Sequence, residues 1–142
     1  MRRLALSALA VLAVPLSAAP VPKELKRTDA RAILGTWENV VHTCDGNAVD
    51  KPRFRWRLEE GGIATILNPN EVPVVYALRP EMSPKHLDWQ IRDISAMAIY
   101  SLEGDTLKVA ISGPGGVRPT ELKPGPGVFY SEFKRLPPEA KR

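Results

Sequence analysis

The chain has one cysteine, Cys44, so it cannot close a disulfide within itself and must draw its stability from packing. It has two histidines, His42 and His86, far apart and without metal-ligand spacing, so each reads as a polar residue at a strand end. No segment of the mature chain carries a helix period long enough for a crossover, which excludes a parallel sheet. The one long apolar run, Leu4 to Leu16, falls short of the roughly 20 residues that a membrane-spanning helix needs.

That run has another meaning. Met1-Arg2-Arg3 is a short basic segment ahead of it, and Ser17-Ala18-Ala19 stand after it, before Pro20. This is the anatomy of a secretory signal peptide over residues 1–19, with no following cysteine for lipid attachment. Export is expected, to a periplasmic, envelope or secreted location, with no integral span after cleavage. Removal of Arg2 and Arg3 leaves 18 basic residues against 16 acidic ones, a net charge of +2 in place of +4. So small an excess gives no support for nucleic acid as a partner.

The remaining chain is long enough for one core. Residues 20–33 read as a leader and a short helical turn, with Thr28 or Asp29 as its cap and Gly35 as its end. Residues 34–136 then alternate strand and turn signals, and 137–142 form a tail. Strands are expected over Thr36–His42, Arg53–Glu59, Ile63–Leu67, Val72–Leu78, Leu87–Arg92, Met97–Glu103, Thr106–Ser112 and Val128–Leu136. Phe54, Trp56 and Leu58 alternate with Arg53, Arg55 and Arg57; Leu87, Trp89 and Ile91 alternate with Asp88, Gln90 and Arg92. One dry face and one wet face per strand, eight strands long, close most economically as an antiparallel up-and-down barrel; a two-sheet sandwich is the alternative.

Several segments taken in order carry a resemblance. Leu34-Gly35-Thr36-Trp37 after a helical turn is similar to the opening motif of the lipocalins. With it come Asp45-Gly46, Tyr76 to Trp89 with Pro84-Lys85, Ile99 to Lys108, Arg118-Pro119-Thr120-Glu121 and the closing Lys134-Arg135. This series resembles a family of small exported lipocalin-like domains found in planctomycete bacteria. The resemblance implies an envelope or secreted β-barrel with no assigned catalytic residues. The Ser95-Ala96-Met97 stretch departs from the family pattern.

Chemistry-bearing residues are few. Arg135 shares a strand face with Phe129 and Phe133, which directs it inward near the base, opposite Trp37 if first and last strands pair. The lipocalin resemblance implies an arginine lying across that tryptophan, so Trp37 and Arg135 are expected to form a structural plug. The inward set Trp37, Phe54, Trp56, Leu58, Trp89, Phe129 and Phe133 is bulky enough to fill most of an eight-stranded barrel. A small apolar ligand, if bound, belongs among Phe54, Trp56 and Trp89.

The Gly113–Gly127 loop, in which Arg118 and Glu121 are expected to pair locally, is the alternative contact surface, for an envelope protein. The Arg53, Arg55, Arg57 stripe reads as a solvated exterior. No inward acid–base pair appears, Asp88 and Glu132 falling on wet faces, so the chain reads as a binding or interaction domain without enzymatic activity, metal or cofactor.

Overall fold

The computed structural model describes residues 28–50 and 54–139. The expected signal peptide, the leader up to residue 27, Arg53 and tail residues 140–142 lie outside the described residues.

One short helix, α1 (Asp29–Ala32), precedes nine strands: β1 (Gly35–Cys44), β2 (Asn47–Ala48), β3 (Arg55–Glu59), β4 (Ile63–Asn68), β5 (Asn70–Arg79), β6 (Lys85–Ile91), β7 (Ile94–Glu103), β8 (Thr106–Ser112) and β9 (Val128–Arg135). All pairings are antiparallel. Strands β3 to β8 each pair with the next strand, β3 also pairs with β1, and β9 returns to β1. The result is a closed eight-stranded up-and-down barrel, with β2 as an extra strand folded back on the end of β1. The unbroken ring of ladders rules out the sandwich.

The expected alternation is what the strands bury. Trp56 and Leu58 of β3 are buried while Arg55 and Glu59 are exposed, and Leu87 and Trp89 of β6 are buried on either side of Asp88. Two turns depend on particular backbone conformations. Gly62 has φ +76°, and a Cβ there would lie 2.5 Å from the Tyr76 carbonyl oxygen, so glycine is required between β3 and β4. Arg92 has φ +54°, which permits a two-residue turn between Ile91 and Ile94. This corrects the sequence expectation at Met97: β7 begins three residues earlier, because an arginine took the left-handed conformation usually supplied by glycine or asparagine.

A bulge between Asn39 and Val41 alters which side chains of β1 face inward. Buried Asn39 holds it, its Nδ2 donating to the Val41 carbonyl at 2.8 Å and the Glu132 carbonyl at 3.3 Å. Beyond the bulge Val41 lies opposite Glu132, and His42 lies opposite Ser131.

Candidate functional site

The barrel has two unlike ends. At the base, α1 lies across the opening, held by charge and hydrogen bonds. Thr28 makes no side-chain cap. The Asp29 carboxylate instead accepts from Lys85 Nζ and Tyr100 Oη, both at 2.7 Å, which pins α1 to β6 and β7. Trp37 is completely buried, and its indole N–H donates to the Ile33 carbonyl at 2.8 Å. Arg135 lies over the Trp37 ring, with its Cζ 4.2 Å from the centroid. Its guanidinium also donates to the Leu34 carbonyl at 2.6 Å and to Asp105 at 2.9 Å, with a further bond to the Ala32 carbonyl. Arginine suits this position because its planar head covers the indole while its N–H groups fork to several acceptors. Trp37 and Arg135 thus close the base as a satisfied unit.

The middle of the barrel is crossed by rings. Trp56 of β3 contacts Phe133 of β9 at 4.1 Å between centroids and Trp89 of β6 at 4.5 Å; Tyr76 lies 6.1 Å beyond Trp89. Phe54, just ahead of β3, sits 6.2 Å from Trp56 and 5.7 Å from Phe133. The three residues expected to form a ligand site, Phe54, Trp56 and Trp89, are therefore brought together. Both Trp56 and Trp89 are more than nine-tenths buried, and neither indole N–H has a hydrogen-bond partner among the described residues. An unmatched buried donor costs roughly 1–3 kcal/mol.

Toward the end away from α1, the interior is only partly covered. Phe54, Ile66, Ile91 and Ile111 are half-buried against the core cluster. Phe129 pairs with Ile111 and Cys44 at this end and is 37% exposed. That corrects the expectation that Phe129 fills the interior: its face is inward, but it stands one row beyond the ring cluster.

His42 also enters this mouth. Its ring meets Phe54 edge-on at 5.3 Å, and its Nδ1 is 2.8 Å from Ser131 Oγ. Strand β1 runs two residues beyond the expected end at His42, through Cys44, and the register shift at the bulge puts His42 and Cys44 opposite inward-facing Ser131 and Phe129. Burial lowers the His42 pKa from its ordinary value, partly opposed by a hydrogen bond to the Tyr130 backbone.

The Gly113–Gly127 loop departs from expectation in its anchoring. Arg118 does not pair with Glu121. Its guanidinium reaches the Asp88 carboxylate of β6 at 2.6 Å and the Ala98 carbonyl of β7 at 2.7 Å, while Glu121 pairs with Lys123. The physical reason is burial: Arg118 is largely covered and meets a partner fixed on the sheet, whereas Glu121 is exposed. Leu122 and Val128 pack with Ile99, Ala110 and Tyr130, forming a second apolar cluster on the barrel exterior. Consecutive apolar residues, Ile99-Tyr100 and Val109-Ala110, are the sequence signal for a strand covered on both faces.

The two described arginines of the basic stripe are paired on the exterior, Arg55 with Glu38 at 3.2 Å and Arg57 with Glu71 at 3.8 Å. Among the described residues no cluster of three His, Cys, Asp or Glu side chains is placed to hold a metal. No described helix is long and apolar enough to cross a membrane. Compared with protein-family models, curated proteins and solved structures, the chain matches none of them.

Proposed function

We propose that this is an exported, non-enzymatic binding domain whose barrel mouth takes a small, largely apolar molecule bearing one hydrogen-bond acceptor. The observation that carries the reading is the pair of buried indole N–H groups of Trp56 and Trp89, which have no hydrogen-bond partner among the described residues. An apolar rim of Phe54, Ile66, Ile91, Ile111 and Phe129 lies around the same end. Apolar walls with a few polar groups are the usual composition of a small-molecule site. A carbonyl or ether oxygen on the ligand would relieve a donor that the protein leaves unmatched.

The signal-peptide anatomy of residues 1–19 supports export, and the order of motifs from Leu34 to Arg135 supports kinship with the planctomycete lipocalin-like domains. The placement of two acids supports a non-catalytic reading: Asp88 is engaged by Arg118 and Arg79, and Glu132 by Tyr130, all on the exterior.

Titration of the protein with 2-undecanone and with undecane, followed by tryptophan fluorescence, tests the proposal. The ketone is expected to bind saturably, about tenfold more tightly than the alkane, with Trp56→Phe and Trp89→Phe each reducing that preference. Flat titrations, or equal binding of ketone and alkane, would reject it.

A second reading has its own observation. The anchored Gly113–Gly127 loop holds Val117 87% exposed, a fixed apolar contact for an envelope protein. Loss of a co-purifying partner on Val117→Asp, with fluorescence titrations flat, would favour that reading.

A further inference from the structure

The barrel exterior carries a second feature that the mouth does not explain. Outward positions on a barrel exterior are expected to be polar, yet Ile63 of β4 is 51% exposed and Val75 of β5 is 58% exposed. The register places these two directly opposite each other, with Gln90 of β6 next in the row. Together with Pro73 they floor a cleft of about 440 Å³, and Arg92 stands at its edge. That volume lies within the usual range for small-ligand sites.

Arg92 differs from the other described arginines of the strands and loops, although Arg31 of α1 also has no carboxylate within ion-pair distance among the described residues. Arg55, Arg57, Arg79, Arg118 and Arg135 each sit within ion-pair distance of a carboxylate. Arg92 has no such partner among the described residues, and its sequence neighbour Asp93 is not within ion-pair reach. Arg92 stands in the β6–β7 turn at φ +54° and lines the cleft beside its apolar floor.

We infer that this exterior cleft binds a single-chain carboxylate amphiphile, with its head on Arg92 and its chain over Val75, Pro73 and Ile63. Charge complementarity selects the head: a guanidinium forks naturally to the two oxygens of a carboxylate. The Gln90 amide, in the same cleft, donates one N–H to the Arg92 carbonyl at 3.4 Å and has a second to offer. The exposed aliphatic side chains select an acyl chain over a polar body, since covering them removes apolar surface from water. The site is separate from the barrel mouth, and neither depends on the other.

Calorimetric titration with dodecanoate below its micellar concentration tests this, with dodecylamine as the charge-reversed comparator. Dodecanoate is expected to bind and dodecylamine to fail. Arg92→Gln and Val75→Asp are each expected to weaken dodecanoate about tenfold, because one removes the charged partner and the other places a like charge on the floor. Both positions are exposed, so neither change threatens the fold. Trp56→Phe and Trp89→Phe are expected to leave this binding unchanged. Binding that ignores Arg92→Gln and Val75→Asp but falls in the tryptophan variants would assign dodecanoate to the barrel mouth and overturn the inference. So would retention on phosphatidylglycerol vesicles without binding of free dodecanoate, which would make the flank a membrane contact.

Discussion

The three tryptophans occupy one barrel interior and meet opposite fates. Trp37 at the base has its N–H bonded to Ile33 and its ring covered by Arg135. Trp56 and Trp89, in the ring cluster above, are also buried, yet their N–H groups find no acceptor among the described residues. A satisfied buried polar group contributes to stability; an unsatisfied one costs free energy unless something outside the chain meets it. This contrast between a satisfied base and an unsatisfied upper interior is what the proposed ligand site rests on.

The largest expected effect is at the base. Arg135→Ala removes several charged hydrogen bonds and the cover over Trp37, and is expected to lower stability by about 3 kcal/mol in chemical unfolding. An unchanged midpoint would mean that the base does not depend on this residue, and the contrast between the ends would fail.

The tryptophans themselves provide the next test. Trp37→Phe leaves the Ile33 carbonyl without its donor and is expected to cost about 2 kcal/mol beyond the change in ring volume. Trp56→Phe and Trp89→Phe remove donors that are already unmatched, so their cost is confined to the loss of packing. Equal destabilisation by all three variants would erase the distinction drawn here.

A smaller effect is expected on the flank. Arg118→Ala frees the Gly113–Gly127 loop from Asp88 and Ala98, at a cost of about 1–2 kcal/mol. Amide hydrogen exchange should accelerate across that loop and leave the base protected.

The pH responses are smaller still within the physiological range. Burial lowers the His42 pKa, so the folded state binds its proton less readily than the unfolded state. The stability associated with neutral His42 is present above the unfolded value of about 6.5 and falls as the pH drops from there through the lower folded value. His42→Gln should flatten that acid limb.

The three tyrosines respond in the opposite direction. Burial raises all of them, and acceptors reinforce this at Tyr100, through Asp29, and at Tyr130, through Glu132. Their contribution is complete below pH 10 and is lost as the pH rises beyond it. Ultraviolet titration should show tyrosinate appearing only as the barrel unfolds in alkali, and an early tyrosinate signal would contradict the burial.

Much of the architecture was legible before any tertiary contact was known. The alternation of Phe54, Trp56 and Leu58 with arginines is a local property of a pleated chain, and it marked inside from outside without reference to partners. Phe54, Trp56 and Trp89 were legible as neighbours for the same reason, since inward residues at corresponding heights of a barrel converge. What could not be read was anything that depends on a choice among distant partners. Arg118 had a nearby acid in Glu121 and took the distant Asp88 because that site is buried. Asp29 appeared to be a capping residue and became the clamp on Lys85 and Tyr100.

The amino-acid order alone determined roughly where most strands run and which face of each is dry, because side-chain alternation and turn chemistry act over a few residues, whereas the meeting of β1 and β9 was left open beside the sandwich. Tertiary structure alone decided that a bulge at Asn39 would bring His42 to Ser131, that a loop would cover Ile99 and Ala110, and that two indoles would be buried without acceptors among the described residues. Those outcomes depend on register and on competition between partners far apart in the chain, and no local pattern encodes who wins.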